Sequence, residues 1–203
     1  MSRRIQIHSF ADVDRSGKVR WTARELGYEI DEQRLSPGAH LQPEYLALNP
    51  YGQVPTARIG DQKLIESSAI CIVLAERHPE KQLIPSAPSA RESFWQTVNL
   101  VTTTLETPTV NYFLSQRGIM DERWKDLLAE SLPPRLRAFA ERLPEEGYLY
   151  ERFTLADVFA GYVLRIGVQS GLLAYEASLG AYLDRLRARP AAVEARIFDS
   201  LDI

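Results

Sequence analysis

Residues 40–55 read His40-Leu41-Gln42-Pro43-Glu44-Tyr45-Leu46-Ala47-Leu48-Asn49-Pro50-Tyr51-Gly52-Gln53-Val54-Pro55, and the chain then continues to Leu64-Ile65-Glu66-Ser67-Ser68-Ala69-Ile70 and to Leu83-Ile84-Pro85. Pro43 to Leu48 predicts one or two helical turns. Val54 to Ile59 and Gln62 to Ile65 are short runs suited to strands. They flank Gly60-Asp61, a two-residue hairpin signal. Ser67 to Arg77 is apolar over a length that suits a helix rather than a strand.

Upstream, Ile5, Ile7 and Ser9 alternate with Gln6 and His8, the period of two of a strand. Lys18 to Leu26 carries Val19, Ala23 and Leu26 at helical spacing, and Gly27 supplies a stop. Tyr28 to Leu35 predicts a second strand running into the turn Ser36-Pro37-Gly38. The order is therefore βαβ, hairpin, helix. Downstream of a linker signal, Ser86-Ala87-Pro88-Ser89, nearly every segment has helical period. Glu92 to Ser115 carries Phe94, Val98, Val101 and Leu105 on one stripe, with Pro108 set to kink or divide it. Asp121 to Leu143 is interrupted by Pro133-Pro134, Leu155 to Leu172 is the most apolar helix, and Leu179 to Arg187 stops at Arg189-Pro190. The expected domains are 1–80 (α/β), a linker 81–90 and 91–203 (all-α), without internal repeats.

Thr154-Leu155-Ala156-Asp157 places a hydroxyl at an N-cap and a carboxylate three residues on, an aspartate form of the capping box, with Phe153 and Val158 spaced as a hydrophobic staple. This is a folding signal, not a catalytic one.

Composition bounds the function. The chain has 203 residues, 45% hydrophobic and 25% charged, with 24 basic and 27 acidic side chains. That is a globular balance, and a net charge of −3 gives no basic footprint for nucleic acid. The single cysteine, Cys71, excludes an intrachain disulfide framework and a cysteine-rich metal site. It reads as a small core residue. His8 and His78 lack ligand-spaced partners, so no metal site is expected. Trp21, Trp95 and Trp124 read as packing residues, and the helix around Arg135, Arg137 and Arg142 as a solvated face. The start of the chain shows no apolar signal core, and the longest apolar run, Ala69 to Ala75, is too short to span a bilayer. A soluble cytoplasmic protein is expected.

The quoted stretch, with Asn49-Pro50, Val54-Pro55 and Glu66-Ser67 at these spacings, resembles the glutathione-binding half of cytosolic glutathione transferases, nearest in motif to theta-, delta- and beta-like bacterial members. Phe153-Thr154-Leu155-Ala156-Asp157 and Arg187-Ala188-Arg189-Pro190 are similar to motifs of that family's helical half, so the resemblance covers nearly the whole chain. It implies a thioredoxin-like N-terminal domain followed by an α-helical bundle that forms an acceptor-substrate pocket. It also implies glutathione as co-substrate, a small electrophilic or hydrophobic second substrate, and a homodimer. The reaction implied is conjugation of glutathione thiolate to an electrophilic carbon. Isomerase, dehalogenase and peroxidase chemistry on the same scaffold remain alternatives, as does a non-catalytic binding module.

The resemblance also assigns residues. The Val54–Pro55 bond is implied to be cis, with the Val54 backbone pairing with an extended peptide as an added strand does. Glu66 and Ser67 stand at a strand-to-helix junction, where free N–H groups and a partial positive charge seat a carboxylate. The serine takes the γ-glutamyl carboxylate and the acid its ammonium. His40 and Gln53 match positions that reach the glycyl end. Each also has a plain structural alternative, a solvated loop side chain or an ordinary cap.

The sulfur site departs from the family pattern. Counting back from Gly27, the position that carries serine or cysteine falls on Val13, which can neither donate a hydrogen bond nor attack. The tyrosine position of other classes falls on Ser9, Ser16 opens the first helix, and Arg15 matches an arginine kept near the sulfur. Ser9, Ser16 and Arg15 are the candidates for stabilising a thiolate, each with a structural role as the alternative. Without help a thiol of pKa about 8.5 is only a few per cent ionised at neutral pH.

Overall fold

Ile5 and Ile7 are fully buried, and the strand that carries them is central. In the computed structural model, which describes residues 3–12 and 14–199, β1 (Arg4–Ser9) runs parallel to β2 (Glu29–Arg34) and antiparallel to β3 (Thr56–Ile59). β3 pairs antiparallel with β4 (Gln62–Ile65), giving the order β2-β1-β3-β4. Ile59 pairs with Gln62 across Gly60-Asp61, so the hairpin signal fixes the register. Gly60 takes a positive φ of 59°, a conformation that costs glycine little.

Three helices complete this mixed sheet. α1 (Ser16–Glu25) connects β1 to β2. α2 (Pro43–Leu46) is one short turn, and α3 (Ser67–Glu76) packs against α1. α1 ends as its sequence requires. Gly27 stands at φ 75°, its N–H donates to the Arg24 carbonyl (3.0 Å), and the Tyr28 N–H reaches the Ala23 carbonyl (2.9 Å). This is the double closure of a Schellman turn.

Contacts divide the chain into two units, one of Met1–Gln82 with Pro190–Asp199, the other centred on Leu83–Arg189. The return of 190–199 to the first unit has a visible cause. Pro190 opens α10 (Pro190–Ala195), where a first-turn proline loses no helical hydrogen bond. α10 packs on α1, and Phe198 meets the fully buried Trp21 edge to face at 5.6 Å.

The second unit is helical. α4 (Pro88–Asn99) runs into a π-helical stretch, Leu100–Glu106, and then α5 (Thr107–Ser115). Pro88 and Ser89, part of the linker signal, belong to the first turn of α4. Pro108, which has no N–H to offer the turn before it, lies in the first turn of α5 directly after the widened stretch. α6 (Arg123–Leu128) and α7 (Leu132–Ala140) divide the segment 121–143 in two, and Pro133-Pro134 sit in the first turn of α7, just after the interruption.

α8 (Leu155–Gln169) is buried along Leu155 to Gly167 and forms the core, with α9 (Ala177–Arg187) after it. Its capping box is present as read. Asp157 accepts from the Thr154 N–H (2.8 Å), the Leu149 N–H (2.9 Å) and the Tyr182 hydroxyl (2.8 Å). No helix among the described residues is long and apolar enough to cross a membrane.

Candidate functional site

The register of the sheet assembles the site. His8 pairs with Thr56, and Thr56 with Ile65. The end of β1, the start of β3 and the end of β4 therefore lie at one end of the sheet. Ser9 and Phe10 leave β1 there, Val54-Pro55 enters β3 there, and Glu66-Ser67 turns β4 into α3 there. The Val54–Pro55 bond is cis. Val54 stands two residues before Thr56, the first paired residue of β3.

Glu66 is exposed and has φ 64° and ψ 112°, a conformation that a residue with a side chain rarely adopts. Holding it there costs of order 1–3 kcal/mol, and such residues cluster at functional positions. The turn places the N-terminus of α3 directly after the strand. Ser67 is buried, and the first turn of α3 carries no acidic residue, so nothing within that turn offsets its positive end.

The loop before Val54 is held rigidly. Gly52 has φ 58°, and a Cβ there would lie 3.2 Å from the His40 carbonyl oxygen, so glycine is required by both backbone and space. The Gln53 carbonyl accepts from the Tyr45 hydroxyl at 2.7 Å and from Asn49 Nδ2 at 2.8 Å. Asn49 Oδ1 in turn accepts the Tyr51 N–H. Burial raises the Tyr45 hydroxyl above its ordinary pKa. The Gln53 side chain is exposed. His40 is half-buried in a single 3-10 turn, Ala39–Leu41, and meets Phe10 edge to face at 4.9 Å.

Around the sulfur candidates the polar groups are committed to one another. The Asp14 carboxylate accepts from the N–H groups of Phe10 (2.6 Å), Ala11 (3.0 Å) and Ser16 (2.7 Å), and from the Ser16 hydroxyl. It ties the loop before α1 together, and of the N–H groups that the start of α1 leaves open it takes that of Ser16. Ser16 is fully buried and accepts from the Arg20 guanidinium at 2.6 Å. Ser9 is also fully buried, and its hydroxyl donates to Glu32 at 2.7 Å, the same oxygen that pairs with Arg20 at 2.6 Å. Each serine hydroxyl has one proton, and in both cases a carboxylate holds it. Arg15 is half-exposed in the turn that opens α1. Val13 lies outside the described residues.

Asp14, Arg20, Glu32 and Tyr45 were not singled out in the sequence. Asp14-Arg15-Ser16 ahead of a helix is a readable cap signal, but the Tyr45 and Glu32 partnerships join residues that only the fold brings together. Cys71 is fully buried inside α3, as its apolar neighbours imply. Among the described residues no group of three or more His, Cys, Asp or Glu could hold a metal ion.

Residues 8–82 match the family model of the glutathione S-transferase N-terminal domain. The chain is 32% identical over 186 residues to glutathione S-transferase 3 of Zea mays, covering 82% of this chain and 80% of that one. It is 31% identical over 177 residues to glutathione S-transferase GstA of Escherichia coli O157:H7, with 84% and 83% covered. Its fold superposes with a TM-score of 0.80 on a glutathione transferase from Methylococcus capsulatus, at 25% identity and with 94% and 96% covered. The chain belongs to the glutathione S-transferase family.

Proposed function

We propose that this protein is a glutathione transferase that seats glutathione at the convergent end of the sheet and delivers its thiolate to an electrophilic small molecule. The observation that carries this reading is the juxtaposition of Val54-Pro55 and Glu66-Ser67 imposed by the β3–β4 register. The Val54 backbone extends β3 and pairs with the tripeptide as a short added strand. The Ser67 end of α3 takes the γ-glutamyl carboxylate, and exposed Glu66 takes the ammonium. His40, Gln53 and the Pro55 corner complete the seat towards the glycyl end.

In the reaction, glutathione loses its thiol proton to solvent. The sulfur lone pair forms a C–S bond at the electrophilic carbon, and the leaving group departs with its bonding pair. The thiolate needs a positive or donating neighbour. Of the three residues the sequence nominated, Ser9 and Ser16 have their protons engaged by Glu32 and Asp14. Arg15 at the mouth of α1 is the cationic member and takes the electrostatic role, while the serines hold the loop in shape. The protein works in the cytoplasm as a homodimer, the commonest closed assembly.

Three measurements test this. Calorimetry should show glutathione binding to the wild type, weakened in Glu66→Ala by about 2–5 kcal/mol if the ammonium pairing is desolvated; wild-type affinity in that variant overturns the seat. Aryl-halide turnover should fall about 10- to 150-fold in Arg15→Ala, the value of a charged interaction of about 1.5–3 kcal/mol. An unchanged rate and bound-thiol pKa in Arg15→Ala, with a loss in Ser9→Ala or Ser16→Ala, would return the role to a hydroxyl. Light scattering should give twice the 23.0 kDa of the chain at micromolar concentration, and a 23.0 kDa species would contradict the dimer.

A further inference from the structure

The Gln53 carbonyl and the Val54 N–H belong to one peptide unit. A trans peptide is planar, so its N–H points opposite to its C=O. Among the described residues the only cis bond is Val54–Pro55, which makes the Gln53–Val54 unit trans. Anything that fixes the Gln53 oxygen on one side therefore fixes the Val54 N–H on the other. Two side chains do so, Tyr45 at 2.7 Å and Asn49 at 2.8 Å, and both are buried.

The Tyr45 hydroxyl is itself oriented. Thr56 Oγ1 lies 2.7 Å from it, in the buried first residue of β3. A hydroxyl has one proton, and the Gln53 carbonyl can only accept. Tyr45 therefore donates to Gln53, and Thr56 donates to Tyr45, a relay running from the sheet to the loop. Its last link ends on the peptide unit that presents Val54.

We propose that Tyr45 is a positioning residue for glutathione: its hydroxyl anchors the Gln53 carbonyl inward and so aims the Val54 N–H outward at the bound tripeptide. This rests on the reading that the Val54 backbone is part of the seat. Tyr45 touches no substrate; it acts through one peptide plane. Asn49 shares the load, so removing the tyrosine hydroxyl leaves the carbonyl partnered and the loop folded, but less narrowly aimed.

The test compares Tyr45→Phe with Thr56→Val. Each removes one buried oxygen from the same relay, but only the first removes a donor to Gln53. Tyr45→Phe should raise the glutathione Kd and KM about two- to ten-fold, the worth of one neutral hydrogen bond. Its kcat and its KM for the aryl halide should stay at wild-type values, and the Val54 amide resonance should move in the glutathione-free protein. Thr56→Val removes the bond that orients the Tyr45 hydroxyl but not the donor to Gln53, so it should raise the glutathione KM and move that resonance less than Tyr45→Phe does. Equal effects in the two variants would mean general loosening of the core and overturn the proposal. If the wild type binds glutathione and Glu66→Ala weakens it, yet Tyr45→Phe changes neither KM nor the Val54 resonance, the seat stands and the positioning role falls. If the wild type does not bind glutathione, the seat itself falls, and Tyr45 with it.

Discussion

His8 lies on β1 with its Nδ1 buried and without a hydrogen-bond partner among the described residues, edge-on to Tyr45 at 5.7 Å. Burial lowers its pKa from the ordinary 6.5, outweighing a hydrogen bond with the Thr56 backbone. The folded protein therefore resists a proton that the unfolded chain accepts. The unfolded state binds more protons in the window from 6.5 down to the lowered folded value, so stability rises with pH there. Denaturant midpoints taken at pH 7.5 and 5.5 should fall more steeply for the wild type than for His8→Gln. Equal slopes would show that His8 is not the coupled group. The residues near it also show what one sequence discloses about a site. Val54, Glu66 and Ser67, the proposed seat, stand out because short local motifs carry them. Ser9 reads as an unengaged hydroxyl because its partner Glu32 lies on a strand whose pairing no local pattern encodes, whereas Ser16 meets Asp14 only two residues away. Ser16→Ala removes a link from that network, and a loss of about 1 kcal/mol in stability is expected.

At the scale of elements, the helix starts carry the most readable physics. Thr154 and Asp157 cap α8 reciprocally, and the fully buried Asp157 also accepts from Leu149 and Tyr182. Thr154→Ala should lower stability by about 0.5–2 kcal/mol in chemical denaturation, with no change in glutathione affinity. An unaltered midpoint would show that the backbone finds other partners there. Hairpin, strands and most helices follow their signals because each signal acts within a few residues: Gly60-Asp61 for the turn, Gly27 for the end of α1, Pro43 for the start of α2. Two features escaped. The π-helical Leu100–Glu106 has the same stripe as an α-helix, and only Pro108 marks the region. α10 is hidden because Pro190 reads as a stop, whereas a proline barred from a helix interior is well suited to a first turn.

On the scale of the molecule, α10 makes the first unit discontinuous in sequence. Residues 1–82 carry the whole sheet and the proposed glutathione seat, but their core is closed by a segment more than a hundred residues further along the chain. Ala192, Ala195, Ile197 and Phe198 are buried, Arg20 Nε donates to the Ala195 carbonyl at 3.3 Å, and Arg24 pairs with Glu194 at 3.3 Å. Gly17 is placed so that an added Cβ would lie 3.3 Å from Ile197, so α1 and the returning segment approach closely. Phe198 packs edge to face on Trp21, and truncating a buried phenylalanine costs about 3–5 kcal/mol. That is a large share of the 5–15 kcal/mol that holds a typical domain. Phe198→Ala should therefore unfold the first unit at lower denaturant than the second. With Trp95 and Trp124 replaced by phenylalanine, Trp21 is the sole reporter. Its emission should shift to the red, and acrylamide should quench it, at denaturant concentrations where far-ultraviolet dichroism still reports the helical unit. Glutathione affinity should fall in the same variant, because Ser16, Arg20 and the loop tied together by Asp14 stand on the helix that Phe198 covers. Coincident fluorescence and dichroism transitions at the parent's denaturant midpoint would show that α10 and the residues after it add nothing to the first unit's stability.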